Sequence, residues 1–419
     1  MKLTIMRNTF IDVCLPGIRC FVLCTFVAGI SFAHAQIPEK VFQTPYKIDA
    51  ERKGALSVEL DNLSFFKNNE YGGNFLEGYT LPGLWLQSKA VYYPSTNIKL
   101  EAGMHALLYW GADAYPNYAY QDIADWKSER YQYGARLLPV FRAQIALSER
   151  VNLVLGNLYG AANHRLIEPL YNPELNLTAD PETGLQFLYT SRFIDLDAWT
   201  NWESFIFKLD THQEAFTFGI SSRINYNRPE SRFHFYTPIQ LLTQHRGGEI
   251  DTIVVNSVQT FMNGATGIGG VWNINHPVFK RLHVEADATG FYQQTGDLWP
   301  FTNGYGLYAR IWADLYDFRV KGAYWMCKDF ISMFGNPYYG AVSTSEEGLT
   351  FDNPRMACFG LEYSRSFGKG YSIGIDLDLY YHLSTTAHTA ERTEKQGGAT
   401  GFSMGVYFRM IPSFLIKRF

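Results

Sequence analysis

Near the C-terminus of this 419-residue chain, Asp378, His382 and Ser384 bring a carboxylate, an imidazole and a hydroxyl into one short stretch. Those are the groups a hydrolase uses to orient a base, accept a proton and attack a carbonyl. Such triples also arise by chance, and nothing else in the chain supports catalysis. The sequence has no G-x-S-x-G, H-E-x-x-H or C-x-x-C, the spacings that mark a nucleophile elbow, a zinc helix or a redox pair. The histidines are scattered, and His382 and His388 have no ligand company nearby. The expectation is a protein that is not an enzyme and carries no metal and no cofactor.

Charge alternating with oil is the stronger signal. In "GYSIGIDLDLYYHL" (370–383), Asp376 and Asp378 alternate with Ile373, Ile375, Leu377, Leu379 and Tyr381. "IKLEAGMHALL", "FTFGISSRINY", "RLHVEADATGF" and "GLYARIWADL" repeat the pattern. Side chains alternate faces along a strand, whereas a helix needs apolar positions three and four apart. If the apolar faces meet lipid, the charges point into a lumen, because an outward charge costs about 2–4 kcal/mol at the midplane for Lys or Arg and less for acids. By that register Lys99, Glu101, Arg142, Arg223, Glu285, Asp287, Arg310, Asp314, Arg319, Lys321, Glu362, Asp376 and Asp378 are predicted to line a pore. Opposed charges across a narrow pore would set up a transverse field favouring polar solutes. The alternative is that they neutralise each other in a filled, closed barrel.

Such segments of about 9 to 15 residues match the reach of a tilted membrane strand. They fall near 54–66, 79–93, 97–110, 134–147, 151–159, 184–191, 194–208, 213–227, 231–244, 255–274, 280–294, 303–315, 317–329, 356–366, 370–383 and 400–410. Short turns such as "PSTN" and "SER" alternate with long connections near 67–78, 111–133, 160–183, 330–355 and 384–399. One connection, "LDTHQ" (209–213), is short where a long one is due. The fold class predicted is all-β: a transmembrane antiparallel β-barrel of about 16 strands (range 14–18), with short periplasmic turns and long outer loops. A β-sandwich would need domain boundaries and a β-helix a fixed repeat, and neither is visible.

Composition agrees. Residues 1–35 show a weakly basic start, an apolar stretch and Ala33-His34-Ala35, the order of a cleaved secretory signal. Removing Lys2, Arg7, Arg19 and Asp12, a net of +2, moves the formal charge from −4 to −6, a poor balance for binding nucleic acid. Residues 36–53 are then a periplasmic N-terminal segment, 54–410 the barrel and 411–419 a C-terminal tail. Outside the signal only Cys327 and Cys358 remain, so this is no disulfide scaffold. On these boundaries the two cysteines face each other at the base of the longest loop. They are a possible disulfide, with two unpaired thiols as the alternative. In the loop near 161–184, Arg165, Glu168, Tyr171 and Glu174 are candidate contacts, against a solvated cover. The aromatic cluster "MFGNPYYG" (333–340) reads as membrane-girdle residues.

The last strand, "GGATGFSMGVYFRM", resembles the terminal signal of bacterial outer-membrane β-barrels of the porin-like type, carried by Ser403, Gly405, Phe408 and Met410. The tail "IPSFLIKRF" departs from it, since such barrels usually end at the strand. The opening hairpin "LSFFKNNEYGGNFLEGYTLPGLWLQSKAVYYP" is similar to that of barrels found in Bacteroidota. The resemblance implies an outer-membrane location, surrounding lipid and the barrel-assembly machinery as partners. The function read from these features is passive passage of small hydrophilic solutes. The rivals are a surface glycan-binding (lectin-like) barrel with a closed lumen and a barrel hydrolase.

Overall fold

The computed structural model describes residues 37–109, 136–204, 213–248, 257–368 and 370–419. The expected signal over 1–35 and most of one long connection therefore lie outside the described residues. The alternating segments become strands β1 (Ala55–Tyr71), β2 (Tyr79–Ser95), β3 (Ile98–Tyr109), β4 (Arg136–Ala146), β5 (Val151–Asn157), β6 (Thr183–Thr190), β7 (Ile194–Ser204) and β8 (Ala215–Asn225). They continue as β9 (Phe233–Arg246), β10 (Gln259–Asn273), β11 (Phe279–Thr295), β12 (Asn303–Leu315) and β13 (Phe318–Lys328). After the short β14 (Thr350–Asp352) come β15 (Arg355–Gly368), β16 (Tyr371–His382), β17 (Thr385–His388), β18 (Thr393–Gln396), β19 (Ala399–Met410) and β20 (Ser413–Arg418).

Every barrel neighbour is antiparallel, and β1 closes the ring by pairing with β2 on one edge and with β19 and β20 on the other. Because β20 continues β19 past Pro412, the result is a closed barrel of 16 strands. The tail expected at 411–419 is thus a correction: Ser413 pairs with Glu59 and Arg418 with Ala55, lengthening the last strand. β14, β17 and β18 form a separate three-stranded sheet at the long-loop end.

Register sorts the side chains. On β16 the rings and aliphatics of Ile375, Leu377, Leu379 and Tyr381 are exposed, while Tyr380 and His382 are buried. Outward Leu100, Phe141, Phe187, Phe235, Ile268, Val284 and Ile311 continue this apolar surface round the ring. A contiguous apolar surface of that extent has no stable partner in water, but it matches hydrocarbon.

The interior is filled from both ends. From the short-turn end a helical turn, Pro38–Phe42, inserts Ile37 and Val41 beneath Tyr407 and Gly374. The Arg409 guanidinium donates to the carbonyls of Val41, Phe42 and Gln43 at 2.6–3.0 Å. Residues 37–43 of the segment 36–53, expected in the periplasm, thus lodge in the short-turn end of the lumen. From the other end, the connections 158–182 and 329–349 fold inward and bind each other. Ser332 donates to the Pro169 carbonyl at 2.6 Å, and the Asn172 amide to the Phe334 carbonyl at 2.8 Å. Phe330, Met333, Phe334, Tyr338 and Tyr339 are buried there, correcting the girdle expectation for 333–340.

Cys327 and Cys358 are free thiols. Cys358 stands opposite Ala323, not Cys327, and four residues of strand are ~13 Å, too far for a disulfide whose Cα atoms must lie within ~7 Å. The possible disulfide is corrected accordingly.

Candidate functional site

The predicted pore-lining charges all point inward, and all but Arg223 and Asp287 are spent on ion pairs with other lumenal charges. Lys89, Lys99 and Arg142 converge on Glu101. Arg310 and the Tyr236 hydroxyl hold Glu285, with Asp287 fully buried two positions along the same strand face. Arg319 and Arg281 each meet Asp314 at 2.8 Å. Lys321 bridges Glu362 at 3.0 Å and Asp378 at 3.1 Å, while Lys67 takes Asp376 at 3.1 Å. Arg223 instead lies over the Tyr236 ring, 4.0 Å from its centroid. Buried charges are tolerable when paired in this way, and the pairing stitches neighbouring strands together.

Three of the four loop candidates serve the plug. Glu168 accepts from Tyr339 at 2.7 Å, Tyr171 bridges to Phe334, and Glu174 accepts from Asn69 at 2.7 Å and Tyr79 at 3.0 Å. Arg165 alone is exposed. The Asp378, His382 and Ser384 triple does not assemble. Asp378 is committed to Lys321, and His382 is stacked on Phe75 at 4.0 Å under Tyr338.

A histidine that spacing did not single out is the best-held imidazole in the lumen. His164 donates to Asp197 from Nδ1 and to Glu182 from Nε2, both at 2.8 Å, and its ring lies 3.5 Å from Trp199 in parallel. Burial opposes its charge, but the two carboxylates outweigh burial and push its pKa up to about 10. With both nitrogens donating, it is an imidazolium clamp between loop and wall. It is not free to accept a proton.

The outward face of β1 breaks the apolar rule. Apart from Phe66, the outward residues here are polar: Asn62, Ser64, Asn68 and Glu70 alternate with inward Leu63, Phe65, Lys67 and Asn69. Register fixes their depth: Asn68 stands beside Met404 and Glu70 beside Phe402, which in turn adjoin Leu377 and Leu379 of β16. Polar groups therefore occupy the level of exposed apolar side chains, just below Tyr381. Across the hairpin, the Thr80 hydroxyl donates to Asn68 Oδ1 at 2.6 Å, which aims the remaining amide N–H groups of Asn68 away from Thr80. Gly78 lets the chain pass Glu70, since a Cβ there would come within 2.9 Å of Glu70 Oε2. Glu70 itself is exposed. A carboxylate at lipid level is unfavourable and marks function by default. The sequence signal was present, as "FFKNNEY" continues the period-two pattern beyond residue 66.

A family model described as Lipid A 3'-O-deacylase-type matches residues 48–419. Among solved structures, the loop-deleted OmpT of Vibrio cholerae aligns with 8% identity over 85% of this chain and 99% of its own, at a TM-score of 0.47. OpdK of Pseudomonas aeruginosa aligns with 10% identity over 86% and 100%, at 0.45. OccAB3 of Acinetobacter baumannii aligns with 10% identity over 86% and 99%, at 0.44. Likeness at this level carries no argument about function. No curated protein sequence matches the chain. The family match corrects the expectation that the chain is not an enzyme, because the family is described by an ester-cleaving activity.

Proposed function

The chain belongs to the Lipid A 3'-O-deacylase-type family, and on that premise we propose that it is an outer-membrane barrel hydrolase. Its substrate is an acylated saccharide lipid of the lipid A class, cleaved at the lipid-facing seam of β1 and β2. The observation that carries this reading is the outward group Glu70, Asn68 and Thr80 at the level of Phe402 and Leu379. The ester linkages of such a lipid lie where acyl chains meet the polar headgroup, the depth marked by outward Tyr381. Substrate reaches this seam sideways, without leaving the membrane.

Glu70 then acts as general base, taking a proton from water as the water oxygen attacks the ester carbonyl. The Asn68 amide donates to the developing oxyanion, held in place by Thr80. Collapse breaks the acyl–oxygen bond, and the proton held by Glu70 passes to the departing saccharide oxygen. Surrounding hydrocarbon excludes bulk water and strengthens these contacts. The packed lumen suits a rigid scaffold better than passage of solutes, since among the described residues two inward loops cross it.

The test uses purified protein in lipid bilayers containing lipid A, with acyl chains counted by mass spectrometry. Loss of one ester-linked chain is expected with the native protein. Glu70→Gln should slow it by about a hundredfold or more, the range for removing a general base. Undiminished deacylation by Glu70→Gln, or no deacylation at all, would overturn the proposal.

A further inference from the structure

At the end of the lumen opposite the plug loops, a cavity of about 1250 Å³ opens between the N-terminal segment 43–48, the turns at 96–97 and 146–150, and β7, β8 and β9. Its inner wall is made by Asn163 and Arg165 from the inward loop, Ser221 and Arg223 of β8, and Gln240 of β9. Arg165 is held there by its backbone: it adopts a left-handed φ of +56° at the end of a short helical turn, and its carbonyl accepts from Gln240 at 3.0 Å.

The charge pattern of this wall differs from the rest of the lumen. Elsewhere the interior cations meet carboxylates, but neither Arg165 nor Arg223 is in an ion pair among the described residues. Asp195 is directly opposite Arg223 in register, yet the guanidinium turns onto the Tyr236 ring at 4.0 Å. Of the other inner acids, Glu285 is committed to Arg310 and Tyr236, and Asp197 to the His164 imidazolium and Gln186. Asp287 is buried on the Glu285 face with neither oxygen hydrogen-bonded among the described residues, and it is not among the residues lining the cavity. Glu39 and Glu149 lie towards the mouth with Lys47 and Arg150. Two guanidiniums thus face one cavity with their donors unspent, beside the Ser221 hydroxyl and the Asn163 amide.

We infer that this short-turn cavity is a binding site for a soluble oxyanion carrying two or more negative oxygens, of the phosphate or diphosphate class, held by Arg165 and Arg223. Planar guanidiniums match such oxygens two at a time, and a stacked guanidinium loses little freedom on binding. The barrel wall separates the cavity from lipid, so the ligand arrives from the aqueous side of the short turns. This site is independent of the β1 seam and stands or falls without it.

Titration calorimetry of the full chain in detergent with inorganic pyrophosphate tests the inference. Saturable binding that weakens with added salt is expected. The R165Q/R223Q double variant should bind about tenfold or more weakly, close to 1.4 kcal/mol or more, while R192Q, on the short turn between β6 and β7 but outside the cavity lining, should bind normally. No saturable binding, or equal binding by a double variant that keeps its heat-dependent shift on gels, would overturn it. Should the double variant not fold, arginine modification of the native protein by phenylglyoxal decides the matter. Protection of Arg165 and Arg223 by pyrophosphate supports the site, and modification at unchanged rates rejects it.

Discussion

His164 illustrates how much one side chain can hold. Its two ring nitrogens tie the inward loop to β7 through Asp197 and to the loop's own return through Glu182. Its pKa, pushed up to about 10, lies above the ordinary value near 6.5. The sign follows: the folded state keeps the proton longer than the unfolded chain does. The clamp's contribution is therefore complete below about pH 6.5 and is lost as pH rises towards about 10. Thermal unfolding in detergent should show stability falling across that window, and His164→Gln should flatten the fall. His164→Ala leaves two buried carboxylates facing no cation and should cost roughly 3–5 kcal/mol. An unchanged pH profile in His164→Gln would place the dependence elsewhere. Nothing in the spacing of the histidines announced this role, because both partners come from outside its local sequence. The lumenal acids were legible for the opposite reason, since period two alone fixes their direction.

At the scale of elements, the strands were readable almost to the residue. β12 spans 303–315 in both readings, and β16 differs by one residue at each end. Lipid on one side and a charged interior on the other impose strict alternation, so each strand declares itself. The sequence pattern alone ends β1 at 66, because Lys67, Asn69 and Glu70 resemble a polar loop, although Lys67 and Asn69 point inward and Glu70 outward. The long connections were harder to read. "LIEPLYNPELNL" and "FISMFGNPYYGA" carry buried Ile167, Leu170, Leu175, Phe330 and Tyr339, more oil than a solvated loop needs, but no period says where they fold. The cysteine pairing failed on register, which a loop-end count cannot supply. Intact mass after alkylation of the denatured, unreduced protein should show both Cys327 and Cys358 labelled; an unlabelled mass two hydrogen atoms below that of the free thiols would restore the bridge. Outward Leu377→Arg should destabilise the bilayer-folded barrel by about 2–4 kcal/mol, measured by urea-dependent folding. Equal stability would mean that this face does not meet hydrocarbon.

The described residues form a barrel whose wall turns apolar side chains outward and whose interior is a packed core. Inward loops, a lodged N-terminal segment and matched charges make the lumen rigid, which suits positioning groups on the outer wall. Planar-bilayer recordings should therefore show no stepwise conductance from the native protein. Replacing residues 332–346 by a short Gly/Ser link should create it, by removing Met333, Phe334, Tyr338 and Tyr339 from the plug. The functional reading was not legible in catalytic motifs, because the groups invoked sit on a strand face and derive their meaning from depth in the membrane. The most direct test supplies lipid A to the bilayer-embedded protein in ¹⁸O-labelled water and follows the fatty acid released. The account predicts free fatty acid carrying one labelled oxygen, an unlabelled saccharide product, and little of either with Glu70→Gln. Label in the saccharide, or lipid A left fully acylated, would contradict it.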